Sequence, residues 1–326
     1  GGMVWAMEKP RAGVVEAAGP TAPWRNFEAI VGLWHDPTMD RAYLERVYGN
    51  RIVQASRQAF DATKWRAQSL RIDRAAIQAA LATEDETARR AALAAAIPTL
   101  PEGLEWTPDG IRPQAGERIA LGFDGSRHHD ATGLVGTHLR TKFQWVQGFW
   151  ERPASLPKSH DWDVPAHEVD AAMATAQARW HVARAYCDPP YWKDEIAQWA
   201  GQYGDKVIVE WYTARDRPMA YAVRNYASAI AEGHLLNDGD ENFARHVGNA
   251  RRRMTSVIAE QEDPVTKVMR KEPMFVLAKE RDDSAAHIDL AVAGTISLEA
   301  ANDAIADGAL EGGGPSIYES RGLLIL

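Results

Sequence analysis

A single cysteine, Cys187, stands in 326 residues. That scarcity excludes an internal disulfide framework and a zinc centre built from cysteine thiolates of one chain, and it suits a reducing compartment. Long apolar runs are missing too. No stretch of about 18 uninterrupted apolar residues occurs, and no basic segment followed by an apolar run opens the chain, so neither a membrane span nor a secretory signal is expected. The expected location is a cytoplasm. Positive charge is also in short supply: 37 Lys and Arg against 45 Asp and Glu give a formal net charge of −8. A chain of that balance does not coat nucleic acid nonspecifically, although an acidic metal site can coexist with a local basic groove. Hydrophobic residues make up 45% of the sequence, enough for one large core with a smaller appended region. Gly1-Gly2-Met3 reads as a tag remnant.

Residues 4–38 are rich in Pro, Gly and Trp and read as an irregular arm. From Asp40 to about Leu70 the apolar residues Tyr43, Leu44, Val47 and Tyr48 recur at helical spacing, and Asp73–Ile97 reads as a second, Ala-rich helix. Pro98, Pro101, Pro108 and Pro113, interleaved with Gly103, Gly110 and Gly116, suit neither a helix nor a central strand, and a domain boundary is placed there. Beyond it the period turns strand-like over Arg118–Asp124, Thr132–Arg140 and Phe143–Trp150, with short links that imply an antiparallel meander. Helix over Val164–Val182, strand over Ala183–Asp188, helix over Trp192–Tyr203, strand over Val207–Tyr212 and helix over Arg217–Glu232 then alternate as crossover units. Ser284 to about Ile305 reads as a closing helix, and 309–326 as a flexible tail. This order predicts an α/β fold: a ribonuclease H-like mixed sheet, an antiparallel three-stranded meander plus parallel strands with flanking helices, preceded by a mostly helical region. The expected divisions are an arm and helical linker over 1–113, the sheet domain over 114–308 and the tail over 309–326.

Three carboxylates stand out. Asp124, in Gly122-Phe123-Asp124-Gly125-Ser126, ends a strand of apolar residues, where a desolvated charge is expensive unless it is paired or binds metal. Gly122 and Gly125 are expected to leave room for an ion or phosphodiester to approach the backbone. By itself Asp124 reads equally well as a turn residue. Asp188 is followed by Pro189-Pro190, so its strand must end at the acid, where α/β sheets bind ligands; a cap for the next helix is the alternative. In the closing helix, Val292, Ala293, Ile296 and Ala300 follow Asp289 by three, four, seven and eleven residues, which puts Asp289 on the apolar stripe. Asp130 and Asp283 are candidate outer-shell acids, with turn and capping roles as alternatives, and His128 and His129 are either solvated or near metal or phosphate. An all-carboxylate set suits hard ions, two Mg²⁺ or Mn²⁺, rather than zinc. Two such ions about 4 Å apart activate water and stabilise the leaving oxygen of a phosphodiester. Arg251-Arg252-Arg253 is the densest basic cluster and a candidate DNA contact, or else a solvated helix face.

The sequence resembles the large terminase subunits of tailed phages. Gly122 to Thr132 is similar to that family's first nuclease motif, Tyr186-Cys187-Asp188-Pro189-Pro190 to its second, and Asp283 to Ala293 to its third. Asn237 to Ala250, the stretch around Asn50-Arg51, Ala59-Phe60-Asp61 and Trp65, and Ser316 to Leu326 resemble further family segments. The resemblance implies metal ligation by Asp124, Asp188 and Asp289, and an endonuclease that cleaves double-stranded DNA concatemers during genome packaging. It also implies the portal protein and the small terminase subunit as partners, in the host cytoplasm. One departure is large: Gly-Lys, required by a phosphate-binding loop, occurs nowhere. The resemblance therefore implies the nuclease and its linker without the ATPase, cutting DNA but not pumping it. Alternatives from the residues are another ribonuclease H-like nuclease of the junction resolvase or transposase type, or an actin-like ATP-binding protein. The last needs a second glycine-rich phosphate loop in a duplicated domain, which the sequence does not show.

Overall fold

The structure, a computed structural model, describes Gly32 and residues 58–70, 74–126, 131–153, 155–157, 162–262, 269–280 and 286–310. The readings made for residues 4–38, most of Asp40–Leu70, His128, His129, Asp130, Asp283 and the tail beyond 310 therefore lie outside the described residues, apart from the helical Gly32. Gly1–Arg57 and Gln58–Leu326 separate as two units, and every element below belongs to the second.

The described part of the second unit begins with short helix α1 (Ala62–Ala67), capped by Asp61, whose carboxylate accepts the Lys64 N–H. The single helix expected over Asp73–Ile97 is two, α2 (Arg74–Leu81) and α3 (Glu86–Ala96). The break falls where Asp85 turns its carboxylate onto the Ala88 N–H at 2.7 Å and starts a new helix, a capping preference that outweighs the continuous Ala-rich periodicity. The Pro- and Gly-rich run holds a small hairpin, β1 (Leu104–Thr107) with β2 (Gly110–Pro113), separate from the main sheet.

The main sheet has five strands: β3 (Arg118–Asp124), β4 (Thr132–His138), β5 (Gln144–Trp150), β6 (His181–Cys187) and β7 (Ile208–Glu210). Their order is β5-β4-β3-β6-β7, antiparallel on the β5-β4-β3 side and parallel from β3 through β6 to β7. A meander whose first strand pairs in parallel with the fourth is the expected ribonuclease H-like topology. The central strands are buried along nearly their whole length because helices cover both faces. On one face lie α4 (Ala166–Arg179) and α5 (Lys193–Tyr203), burying Met173, Ile196 and Trp199 against Ile119, Leu121 and Phe123. On the other lie α6 (Asp216–Glu232), α7 (Glu241–Asn249) and α8 (Asp289–Ala306), with Phe60 and Trp65 from the α1 region in the same core. A two-stranded arm, β8 (Arg251–Glu262) with β9 (Met269–Ala278), adds to this face. It had not been expected, since its alternation is masked by exposed Met254, Ile258 and Met269. No helix among the described residues is long and apolar enough to cross a membrane.

α8 is buried on nearly every side and lies unusually close to the sheet. A Cβ at Gly122 would fall 2.1 Å from the Ala293 carbonyl oxygen and 2.6 Å from the Ser297 nitrogen. Gly122 is thus where helix backbone meets strand backbone, a correction to the expectation that it opens space for a ligand. A buried polar chain fixes the same helix: Gln144 donates to Gly294 O at 2.8 Å and to Thr137 Oγ1 at 3.0 Å, Thr137 and Ser297 hydroxyls lie 2.7 Å apart, and Tyr226 donates to Gln144 Oε1 at 2.9 Å. Satisfied in this way, the polar atoms select one axial position for the helix.

The segment after α6 covers the β5 edge: Gln144 N donates to Leu236 O, and Asp238 takes the Val146 N–H at 3.2 Å. Burial pushes the Asp238 carboxyl up to about 6 from an ordinary 3.8, against the opposing pull of Arg112 and backbone N–H groups.

Two predictions follow from these contacts. Gly122→Ala is expected to cost about 3 kcal/mol or more in denaturant unfolding, because the obstruction is backbone on both sides; a loss under about 0.5 kcal/mol would contradict the close approach. Since the folded Asp238 holds its proton to higher pH than the unfolded chain, its contribution is most favourable below about pH 4 and declines as pH rises toward 6. Asp238→Asn should remove a decline of about 3 kcal/mol, and an unaltered pH–stability profile would refute this.

Candidate active site

Along β3, Ile119, Leu121 and Phe123 enter the layer beneath α4 and α5, whereas Ala120 and Gly122 face α8. Alternation puts Asp124 on the α8 side as well. β6 follows suit: Ala185 and Cys187 go with Phe123, and Tyr186 goes with α8, so Asp188 comes next on the α8 side. The parallel register pairs Phe123 with Cys187, and Asp188 N donates to Phe123 O at 2.9 Å. Asp124 and Asp188 therefore leave adjoining strands side by side, at a strand spacing of about 4.8 Å.

Asp289 arrives from the helix. α8 runs back along β3 with Ser297 beside Ala120, Ala293 against Gly122 and Leu290 against Gly133, the register partner of Asp124. The residue before Leu290 is Asp289, so all three expected acids share one end and one face of the sheet. The helix was expected from Ser284, but 286–288 are not helical and Asp289 is its first residue. It is 6% exposed and sits where a carboxylate interacts favourably with the helix dipole.

Asp188 is 8% exposed, and both its oxygens are held by one residue: Oδ1 accepts Thr213 N at 3.1 Å and Oδ2 accepts Thr213 Oγ1 at 2.8 Å. Burial raises its pKa above the ordinary carboxylate value, and the two Thr213 bonds pull the other way. Among the described residues no cation offsets that burial. Asp188 does not cap α5, which begins at Lys193 behind Trp192. The Cys187 thiol is pushed up by burial and by the Asp188 charge, so it stays protonated and is no nucleophile.

Thr213 escaped the sequence reading because it lies beyond β7, in a turn with no motif of its own. His246 and Asn249 lie on α7, inside the Asn237–Ala250 segment noted for its resemblance, but had been given no role: His246 Nδ1 accepts the Leu290 N–H at 3.1 Å, and Asn249 donates to His287 O at 3.0 Å. These two residues fix the entry to α8 and with it Asp289.

Gly125 also serves packing: a Cβ there would lie 2.5 Å from Trp192 Nε1. Trp192 is fully buried, edge-on to Phe123 at 5.2 Å, and closes a turn by donating its N–H to Pro189 O at 3.0 Å. Pro190 fixes φ near −65° and Tyr191 has φ 67°, which makes a type II turn with an aromatic residue where glycine is usual.

Arg251, Arg252 and Arg253 open strand β8, not a helix, and so alternate in direction. Arg251 donates to Gly248 O at 2.7 Å, Arg252 donates to Gln58 O at 2.9 Å and lies over Phe275, and Arg253 pairs with Asp216 at 2.9 Å. Among the described residues no three His, Cys, Asp or Glu side chains are already gathered for an ion.

No family model matches the sequence. Two curated relatives do: the Gene 13 protein of Mycobacterium phage L5, 29% identical over 201 residues, and that of Mycobacterium phage D29, 28% identical over 199. Each match covers 58% of this chain but 30% of the relative, so the chain spans under a third of their length. The chain is similar to large terminase nucleases. The large terminase nuclease of thermophilic phage G20c aligns over 60% of this chain and 90% of its own, at 15% identity and TM-score 0.39. The large terminase of bacteriophage HK97 aligns over 60% and 40%, at 17% identity and TM-score 0.38. The fold itself follows from the strand order and register above.

Thr213→Val removes the hydroxyl but keeps the side-chain shape, and is expected to raise the Asp188 pKa further. Carboxylate NMR titration reads this directly; an unmoved Asp188 titration would contradict the hydrogen-bond assignment.

Proposed function

We propose that the chain is a metal-dependent DNA endonuclease of the large terminase kind, cleaving double-stranded concatemers as phage genomes are packaged. The observation that supports this reading is that two neighbouring strand ends and a helix start bring Asp124, Asp188 and Asp289 toward the same end of one sheet face, although among the described residues no three acidic side chains are already gathered for an ion. A buried carboxylate with only neutral donors on it, as at Asp188, is expensive unless a cation completes it. Oxygen donors alone suit Mg²⁺ or Mn²⁺, and the relevant set is Asp124, Asp188 and Asp289, with Asp130 and Asp283 as outer acids. When bound, a pair of such ions supplies an activated water and charge stabilisation for the leaving oxygen. The chain's own part is to hold the carboxylates: Thr213 orients Asp188, and His246 and Asn249 hold the start of α8. Likeness to proteins of phages L5 and D29 supports a phage origin, and one of the similar solved nucleases is a G20c phage terminase nuclease with bound magnesium.

In this reading the nuclease comprises 114–308, with 1–113 as the linker region and 309–326 as a tail. Its partners are duplex DNA, the portal protein and the small terminase subunit, in the host cytoplasm. No ATPase activity is expected from a sequence without Gly-Lys. Arg251, Arg252 and Arg253 remain DNA contacts only insofar as their exposed portions reach phosphate beside the partners they already have.

The test is plasmid cleavage with Mg²⁺ or Mn²⁺ and a chelator control. Asp124→Ala, Asp188→Ala and Asp289→Ala are each expected to lose about a hundredfold or more in rate. Undiminished cleavage by the variants, or none by the wild type with either metal, would sink the assignment.

A further inference from the structure

We propose that Glu151 is a positioning residue of the acidic site: with Arg245 it forms a latch that holds His287, and so keeps Asp289 placed for a divalent cation. This rests on the nuclease reading above. Glu151 directly follows β5, whose last residue Trp150 pairs with Thr132; the next residue of β4, Gly133, pairs with Asp124. Glu151 therefore lies at the same end of the sheet as the acids. Its carboxylate takes both arms of the Arg245 guanidinium from α7, Nη1 at 3.2 Å and Nη2 at 2.8 Å. The same carboxylate reaches the approach to α8, where His287 Nε2 lies 3.4 Å from Glu151 Oε1.

His287 stands two residues before Asp289, in the stretch 286–288 that the helix ladder does not fix. Asn249 of α7 grips its carbonyl at 3.0 Å, and on the far side of the acid the Leu290 N–H goes to His246 Nδ1 at 3.1 Å. His246 in turn packs edge-on against Phe149 of β5, with ring centroids 5.3 Å apart. Thus α7 holds Asp289 on both sides, and Glu151 ties that clamp to the sheet. Stability does not account for the latch. The Arg245, Glu151 and His287 side chains are 39%, 26% and 15% exposed, and ion pairs open to solvent to that extent add little to folding. Metal binding is far more sensitive: loss of a group that orients a ligand weakens it about ten- to a hundredfold.

The experiment compares the full chain with Glu151→Gln, Arg245→Gln and a control, Glu105→Gln, which breaks the 2.7 Å pair of Glu105 with Arg179 near the opposite end of the sheet. Three quantities are read: Mn²⁺ affinity by electron paramagnetic resonance of the free ion, melting temperature, and plasmid cleavage as a function of Mn²⁺ concentration. Glu151→Gln and Arg245→Gln should each weaken Mn²⁺ binding about tenfold, with melting temperature within about 4 °C of wild type and kcat recovered at saturating Mn²⁺. Glu105→Gln should leave Mn²⁺ affinity unchanged. The two latch variants alter local charge in opposite senses, so an effect of charge alone would weaken binding in Glu151→Gln and strengthen it in Arg245→Gln. That result, wild-type affinity in both, or a loss of affinity accompanied by a drop in melting temperature above about 10 °C, overturns the proposal and leaves the nuclease reading standing. A wild type that neither binds Mn²⁺ nor cuts DNA overturns both.

Discussion

The arrangement depends on one contact, the approach of α8 to β3 at Gly122. With no side chain on the strand, the Ala293 carbonyl and Ser297 backbone lie against it, and the buried Gln144, Thr137, Ser297 and Tyr226 groups lock the helix at that height. Because the helix is rigid, fixing it at Ala293 fixes Leu290 against Gly133, and so delivers Asp289 to the end of β3 where Asp124 emerges. Packing in the middle of the domain thereby sets where Asp289 lies at its rim. His246 holds the same helix start from the opposite side through the Leu290 N–H.

Asp188 illustrates the electrostatic consequence. The strand ends because Pro189 and Pro190 cannot continue the ladder, and the acid that remains is buried with Thr213 donating to both its oxygens. Such a group holds back stability when ionised and unmetallated, a cost that folds tolerate where function requires it. The adjacent Cys187 shares the burial but lies in the opposite layer with Phe123, and burial keeps its thiol protonated.

Much of this was legible in the residues. β3 falls on the expected Arg118–Asp124, and the meander, the crossover helices and the parallel strand ending before Asp188 follow from switches between a period of 2 and one of 3.6, backed by the proline pair. Asp289 stood out because Val292, Ala293, Ile296 and Ala300 put it on the apolar stripe of its helix. What stayed hidden depends on contacts between segments far apart in sequence. Thr213 has meaning only once β7 lies beside β6, and His246 only once α7 lies beside the α8 start. Gly122 and Gly125 advertised free space, yet their missing side chains are filled by α8 and Trp192, a distinction that local pattern does not encode. The β8–β9 arm and the split between α2 and α3 were missed for local reasons: weak alternation in the first, and a capping aspartate inside an Ala-rich run in the second.

The central claim is that Asp124, Asp188 and Asp289 form one divalent-cation site. Anomalous diffraction from crystals soaked in Mn²⁺ tests it most directly. The account predicts anomalous peaks bounded by the Asp124 and Asp188 carboxylates with Asp289 completing the shell. Manganese peaks elsewhere on the protein, with none between these acids, would contradict it.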